Sequence, residues 1–221
     1  MTSISTETII TGFDDLQKRR DRFREQHKGI RHTVLVCAGA GCVSCDCAAC
    51  SEALEASLRE AGLADSVDVR KTGCMGICDV GPIMVIQPDD VLYCKLRPED
   101  MPEIVHRHLV EGQVAVEHCF VDPETGQPVE HVGEIPFFSK QHKIVLKNCG
   151  RTAFDDLDEY ISNQGFEALC RAVRDMTPES VIDEIKQSGL RGRGGGGFPT
   201  GLKWGLARKA AGERKYIICN A

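Results

Sequence analysis

Two pairs of cysteines constrain this 221-residue chain more than any other feature of its sequence. The first pair, Cys37 and Cys42, follows the strand-like run of residues 33–36 and encloses the sequence Ala-Gly-Ala-Gly. The second pair, Cys74 and Cys78, follows the strand-like residues 67–73 and encloses Met-Gly-Ile. Each pair therefore lies in a short, glycine-containing loop at the end of a predicted strand.

Four thiolates in two such loops are typical of a binuclear iron–sulfur centre. Each iron of a 2Fe–2S cluster takes two cysteine sulfurs, and glycine lets backbone N–H groups approach the bridging sulfides. We therefore predict that Cys37, Cys42, Cys74 and Cys78 bind a 2Fe–2S cluster. A chain with such a centre is expected to transfer electrons.

The composition excludes several other classes of function. The net charge is −6, from 27 basic and 33 acidic residues, so a nucleic-acid partner is not expected. Neither a membrane-spanning segment nor a secretory signal is recognisable, and we expect a cytoplasmic protein without a membrane span. Twelve cysteines in a reducing compartment more often bind metal than form disulfides.

The first half of the chain has the element order of a small α/β sandwich of thioredoxin type. The pattern predicts strands over 31–38, 66–71, 83–87 and 91–96 and helices over 48–61 and 98–110. Pro98 begins the last helix and Gly112 ends it. Both cysteine loops would then lie at one end of the sheet, as a bridging cluster requires.

The domain organisation follows from shifts in this pattern. We predict a charged helical extension over 1–29, the cluster domain over 30–112 and a linker over 113–150 that wraps on neighbouring surfaces. Helices over 154–162, 166–175 and 177–188 follow, the last with Thr177 as N-cap, and residues 215–220 are predicted to form a buried strand. The region 151–221 is expected to be an incomplete second domain.

A glycine-rich stretch occupies residues 192–197 and matches G-x-G-x-x-G, but its context differs from a dinucleotide-binding fold. A helix precedes the motif where a strand is required, and a P-loop is excluded because Leu202 separates Gly201 from Lys203. Seven basic residues and one acidic residue lie between 190 and 221. Free backbone N–H groups and a helix beginning near Gly201 therefore favour a phosphate-bearing cofactor over a flexible linker.

Residues 188–204, Ser-Gly-Leu-Arg-Gly-Arg-Gly-Gly-Gly-Gly-Phe-Pro-Thr-Gly-Leu-Lys-Trp, and 216–221, Tyr-Ile-Ile-Cys-Asn-Ala, carry a family resemblance. They resemble the FMN- and NADH-binding subunit of complex I, and above all its versions in NAD(P)-linked iron hydrogenases and formate dehydrogenases. The spacing of the four cysteines is similar to the thioredoxin-like 2Fe–2S domain fused in front of the flavin domain there. The resemblance implies an α/β chain: a thioredoxin-like 2Fe–2S ferredoxin domain followed by the truncated start of an α/β FMN-binding domain.

The resemblance also implies roles for individual residues. Gly192, Arg193, Gly194, Lys203 and Asn220 would contact FMN, and Phe198 would stack on the nicotinamide nucleotide, NAD(H) or NADP(H), which Gly195, Gly196 and Gly197 let lie against the flavin. A hydride would pass from NAD(P)H to FMN, and single electrons from there to iron–sulfur clusters. No catalytic side chain is required by this chemistry. The expected partners are other iron–sulfur and catalytic subunits of a redox complex.

Two points of the resemblance leave alternatives open. The family continues after Ala221 with the rest of the flavin domain and a 4Fe–4S domain, so the chain alone is expected to be inactive. Cys45, Cys47 and Cys50 crowd the first loop and would form a zinc site, a redox disulfide or no site. The alternative function is a stand-alone 2Fe–2S carrier or zinc-binding module without flavin chemistry.

Overall fold

The computed structural model describes residues 10, 12–144, 146–212, 214, 216 and 218. Contacts between residues divide the chain into two units. One unit comprises residues 16–163, and the other comprises residues 164–221 together with residues up to 15. No helix in the described part of the chain is both long enough and apolar enough to cross a membrane.

A four-stranded mixed sheet forms the centre of the first unit. Its order is β2-β1-β3-β4, with β1 parallel to β2 and the other two pairs antiparallel. The strands are His32–Cys37 (β1), Val67–Thr72 (β2), Met84–Gln87 (β3) and Val91–Tyr93 (β4). Val34, Leu35, Val85 and Ile86 are fully buried because helices and irregular segments cover both faces, as the short apolar runs of the sequence predict.

Helices on this sheet begin and end close to the predicted positions. The N-terminal charged segment forms α1 (Phe13–Gln26), and the crossover between β1 and β2 contains α2 (Ala40–Ser44) and α3 (Cys47–Glu60). The predicted helix over 98–110 is confirmed, but it changes geometry along its length: a 3₁₀ turn over Pro98–Asp100, α4 (Met101–Ile104) and a π-helical turn over Val105–Val110. Gly112 follows with φ +71°, a conformation that ends helices.

Strand β4 is shorter than predicted. The expected strand extends to residue 96, whereas the observed one ends at Tyr93. Lys95 adopts φ +50°, which takes the backbone out of the extended region, and its N–H donates to the Val80 carbonyl instead of continuing the ladder. The turn therefore ties the end of the hairpin to the loop after Cys78.

Residues 113–150 pack against the sheet over much of their length. Ala115 and Ile135 are fully buried, and single bridges join Tyr93 to Cys119 and Val91 to His131. A short hairpin of β5 (Phe120–Val121) and β6 (Pro128–Val129) and the helix α5 (Pro136–Ser139) complete the segment. This segment thus covers the edge of β4 that would otherwise expose unpaired backbone groups.

The opposite edge of the sheet is covered by α1 and by residues 153–162. The N–H of Phe154 donates to the Lys71 carbonyl at 3.2 Å, and α6 (Leu157–Ser162) follows directly. Arg20 of α1 donates from Nε to the Ile161 carbonyl at 2.7 Å. Charged and backbone groups therefore hold α1 and α6 against strand β2.

Three helices form the described part of the second unit: α7 (Glu167–Asp175), α8 (Pro178–Gln187) and α9 (Thr200–Lys209). The predicted N-cap is confirmed, because Thr177 Oγ1 accepts a hydrogen bond from the Ser180 N–H at 3.1 Å. A Cβ atom on Gly201 would lie 2.7 Å from the Lys186 backbone nitrogen, so only glycine permits this approach of α9 to α8. The buried strand predicted over 215–220 falls largely on residues outside the described ones, and the two that are described, Tyr216 and Ile218, are exposed and in no strand.

Candidate metal and flavin sites

The two cysteine loops meet at one end of the sheet because of how β1 and β2 pair. These strands are parallel, and Cys37 at the end of β1 lies opposite Thr72 at the end of β2. Since the carboxyl ends of parallel strands share one edge of a sheet, the loops that follow them are neighbours. Cys42 lies in α2, one turn beyond β1, while Cys74 and Cys78 follow β2.

The second cysteine pair has the geometry of two ligands to one metal ion. The Sγ atoms of Cys74 and Cys78 are 3.5 Å apart, and the Gly76 N–H donates to Cys74 Sγ at 3.3 Å. Tetrahedral coordination with metal–sulfur bonds of about 2.3 Å places two sulfurs about 3.8 Å apart. The observed spacing therefore requires little adjustment to accept an iron.

Glycines allow the two loops to approach each other. A Cβ atom on Gly39 would lie 2.7 Å from Cys74 Cβ, and one on Gly41 would lie 2.9 Å from Cys78 Cβ. Gly81 approaches Cys42 in the same way, with its Cβ position 3.1 Å from the Cys42 sulfur. The absence of a side chain at each of these glycines thus lets the loop of one cysteine pair pack against a cysteine of the other pair. The sequence predicted only that glycine would expose backbone N–H groups, and it did not predict this packing.

The pKa values of two of the four thiols, Cys42 and Cys78, are raised. Burial raises the pKa of Cys42 to about 12, and hydrogen bonding to Cys37 and the charge of that neighbour add to the effect. The pKa of Cys78 is raised chiefly by its hydrogen bond with Cys74. Two neighbouring thiolates are therefore unfavourable without a counter-charge, which a metal ion supplies while releasing the protons.

The two cysteine pairs differ in exposure. Cys37 and Cys42 are each only 1% exposed, whereas Cys74 and Cys78 are exposed. On the exposed side, the ring of Phe137 packs over Gly76, whose φ of +95° requires glycine. No sequence signal pointed to Phe137, because this contact joins α5 to a loop far away in the chain.

The additional cysteines of the first loop are dispersed. Cys45 is exposed, while Cys47 and Cys50 are buried, and Cys50 Sγ lies 3.6 Å from the Leu96 carbonyl oxygen. Within the described ranges, no three cysteine sulfurs lie inside 4.8 Å of one another, as a mononuclear zinc site would need. This arrangement favours structural thiols over a zinc site.

The glycine-rich stretch forms a loop closed at its base. The Gly192 N–H donates to the Phe198 carbonyl and the Thr200 N–H to the Leu190 carbonyl, both at 2.9 Å. Arg191 Nε donates to the Gly197 carbonyl at 2.6 Å, and Gly195 and Gly197 adopt φ of +103° and +56°. The loop thus has cross-bonds at its base and glycine-dependent backbone conformations, neither of which a plain flexible linker requires.

The predicted nucleotide-binding side chains lie on and beside this loop. Phe198 is half exposed, and Lys203 projects from the exposed first turns of α9, whose N-terminus has no side-chain cap. Arg193 instead folds back, and its Nη1 donates to the Arg191 carbonyl at 2.7 Å. The exposed glycines Gly194 and Gly196 lie at the loop tip, and Asn220 lies outside the described residues.

Comparison with known protein families agrees with both halves of this description. Residues 21–108 match the family model of the thioredoxin-like [2Fe-2S] ferredoxins, and residues 185–221 match that of the Nuo51 FMN-binding domain. The chain is thus similar to each family over part of its length. The resemblance and the α/β fold class predicted from the sequence are confirmed.

The relatives of this chain are subunits of redox complexes. It is 50% identical over 82 residues to NADP-reducing hydrogenase subunit HndC of Solidesulfovibrio fructosivorans, a match that covers 37% of this chain and 16% of the relative. It is 36% identical over 150 residues to NAD-reducing hydrogenase HoxS subunit alpha of Cupriavidus necator, covering 68% and 22%. An NADH-quinone oxidoreductase subunit of Rhizobium meliloti is 49% identical over 78 residues, covering 35% and 18%.

Among solved structures, the thioredoxin-like [2Fe-2S] ferredoxin from Aquifex aeolicus is 28% identical, with a TM-score of 0.38. That match covers 40% of this chain and 95% of the ferredoxin. The chain spans 16% to 22% of the length of the three curated relatives described above.

Proposed function

We propose that Cys37, Cys42, Cys74 and Cys78 bind a 2Fe–2S cluster, with one cysteine pair on each iron. The observation that carries this proposal is the meeting of the two pairs at the end of the parallel strands, with Gly39 packed on Cys74 and Gly41 on Cys78. The 3.5 Å separation of the Cys74 and Cys78 sulfurs suits two ligands of one tetrahedral iron. When bound, the cluster accepts and donates single electrons.

The chain's own residues would set the surroundings of this cluster. Cys37 and Cys42 anchor one side in the core, where Val36 and Ile83 are also buried. The Gly76 N–H, which points at Cys74 Sγ, would stabilise negative charge on that sulfur. Because Cys74 and Cys78 are exposed, electrons would enter or leave on their side.

We further propose that the glycine loop of residues 192–197 and the start of α9 bind FMN and a nicotinamide nucleotide. Backbone N–H groups at the uncapped N-terminus of α9, with Lys203 nearby, provide donors for a phosphate. The half-exposed ring of Phe198 offers an apolar face for stacking. Arg193, Gly194 and Asn220 complete the proposed set, and the flavin, when bound, converts hydride transfer into single-electron transfer.

Taken with the names of the chain's relatives, the two proposed sites support a function as an electron-transfer segment of an NAD(P)H-linked oxidoreductase. HndC and HoxS subunit alpha are hydrogenase subunits, and the relative in Rhizobium meliloti belongs to an NADH-quinone oxidoreductase. We propose other iron–sulfur and catalytic subunits as partners, in an assembly whose terminal acceptor is protons, carbon dioxide, a quinone or a ferredoxin.

The cluster assignment is tested by electron paramagnetic resonance on protein purified without oxygen and reduced with dithionite. The wild-type chain should be reddish-brown and give a 2Fe–2S signal, with about two irons per chain. Cys74→Ala should abolish the signal; alanine is chosen because a serine oxygen can replace a sulfur ligand. Cys47→Ala is the matched control and should retain both iron and signal. A full signal in Cys74→Ala would overturn the ligand assignment.

A further inference from the structure

A cavity of about 340 Å³ lies beside the second cysteine loop, within the unit of residues 16–163. Its lining includes Met75, which stands between Cys74 and Gly76 in that loop. Gly150, with φ +74°, forms another part of the wall and packs so closely on Met75 that a Cβ atom would lie 2.8 Å from Met75 Cε. The cavity is therefore built against the cluster loop by residues from the segment before α6.

Positive charge dominates this lining. Lys143, Lys147 and Arg151 line the cavity, and Asp90 is the one acidic residue among its lining residues, which leaves a net charge of +2. Within the part of the chain that the structure describes, none of the three basic side chains forms an ion pair with a carboxylate. Lys143 instead lies over the ring of Phe138, with Nζ 4.6 Å from the ring centroid.

The net charge of this lining is opposite in sign to that of the chain. The chain as a whole carries a net charge of −6, whereas the residues that line the cavity carry +2. Three cations around one concave site repel one another unless an anion lies between them. Their convergence therefore indicates a negatively charged ligand.

We propose that this cavity binds the diphosphate group of a small molecule. A diphosphate carries two or three negative charges and many acceptor oxygens, which suits two lysines and one arginine, whereas a single carboxylate would leave positive charge uncompensated. Phe138 and Met75 supply an apolar wall for the organic group attached to the diphosphate. The size is typical of small-molecule sites, which begin at about 300 Å³. This site is separate from the glycine loop of residues 192–197.

Isothermal titration calorimetry on the full chain tests the proposal, with inorganic pyrophosphate in one arm and ADP in the other. Binding of both shows that the diphosphate is recognised, and tighter binding of ADP identifies a nucleotide as the source. The double variant Lys147→Gln/Arg151→Gln should raise the Kd about tenfold or more, because it removes two charge-assisted contacts. ADP bound at the glycine loop would keep its affinity in this double variant, whereas ADP bound in the cavity would lose it. The double variant therefore distinguishes the two sites.

The control is Lys140→Gln, compared with the single variant Lys147→Gln: each removes one lysine charge from the same segment, but Lys140 is not among the cavity-lining residues. It should change the Kd by less than about twofold, because Lys140 is exposed, lies outside the lining and has its charge screened by salt. The proposal is overturned if neither ligand binds the wild-type chain, if the double variant binds as tightly, or if Lys140→Gln loses affinity equally. Calorimetry measures ligand binding whether or not the cluster is present. A failure to bind pyrophosphate or ADP therefore says nothing about the cluster, and a missing cluster signal says nothing about the cavity.

Discussion

Gly39 packs directly on Cys74: a methyl group on Gly39 would lie 2.7 Å from Cys74 Cβ and 3.3 Å from its sulfur. Gly39 lies in the loop between Cys37 and Cys42, whereas Cys74 belongs to the other cysteine pair. The separation of the pairs, and with it the space left for a cluster, therefore depends on the missing side chain of one glycine.

We expect Gly39→Ala to weaken cluster binding and to destabilise the fold. The added methyl group must push the loops apart, and such overpacking costs about 1–3 kcal/mol of the free energy of unfolding. Iron content per chain and urea unfolding monitor the two effects. Gly73→Ala is the matched control, since Gly73 neighbours Cys74 in sequence but a Cβ there meets nothing within 4 Å. Equal iron content in the two variants would contradict the prediction.

The helix pair α8–α9 gives a second prediction. Gly201→Ala should destabilise this pair by about 1–3 kcal/mol, because its Cβ would lie 2.7 Å from the Lys186 backbone nitrogen. Hydrogen exchange of residues 178–209 in the full chain measures the effect. Gly205→Ala, whose Cβ would lie at an ordinary 3.8 Å from Ile182, should slow exchange, because alanine favours helix over glycine by about 1 kcal/mol. Faster exchange in both variants would show that close packing at Gly201 is not the cause.

The ion pair between Arg70 and Glu159 joins strand β2 to α6. Arg70 Nη1 lies 2.7 Å from Glu159 Oε1, and the two side chains are 11% and 9% exposed. Arg70→Met should lower the free energy of unfolding by about 3 kcal/mol, because it leaves a buried carboxylate without its cation. Urea unfolding of the single variant and of Arg70→Met/Glu159→Gln separates the causes. The double variant should recover much of the loss; no recovery would assign the effect to the other contacts of Arg70, with Asp68 and the Phe23 ring.

His108 predicts a pH dependence of stability. Burial lowers the pKa of His108, although its hydrogen bond to Asp89 opposes the shift. The unfolded chain, with a histidine pKa of about 6.5, therefore binds this proton at a higher pH than the folded chain does. The free energy of unfolding should fall as the pH drops below about 6.5, until the folded-state pKa is reached.

His108→Gln isolates this contribution from those of other titratable groups that act on His108, among them His32 and Glu130. Unfolding is measured between pH 5 and pH 8 for both proteins, a range of about three units around the histidine pKa. The difference in stability between wild type and variant should shrink as the pH falls through this range. A constant difference would show that His108 does not titrate with folding.

The sequence predicted the parts of this molecule that depend on local pattern. Apolar runs predicted the four central strands, and the Thr177–Pro178 signal predicted the start of α8. The positions of the cysteines relative to strand ends were enough to predict that both loops meet at one edge of the sheet, since parallel pairing follows from the crossover helix.

The features that could not be predicted depend on contacts between distant residues. Nothing near Gly39 in sequence indicates that it packs on Cys74, and nothing near Phe137 indicates its contact with Gly76. The early end of β4 results from the left-handed turn at Lys95, a residue type that seldom adopts this conformation. The basic cavity likewise combines Asp90 and Met75 with residues 132–151, which local periodicity left without an assignment.

The parallel pairing of β1 and β2 also constrains the order of events during synthesis. Cys37 and Cys42 leave the ribosome well before Cys74 and Cys78, because α3 and all of β2 lie between them. A nascent chain that has made only the first pair therefore holds two of the four proposed ligands. The two cysteine pairs come together only once β2 has added to the sheet, so the crossover between β1 and β2 links strand pairing to assembly of the proposed four-cysteine site.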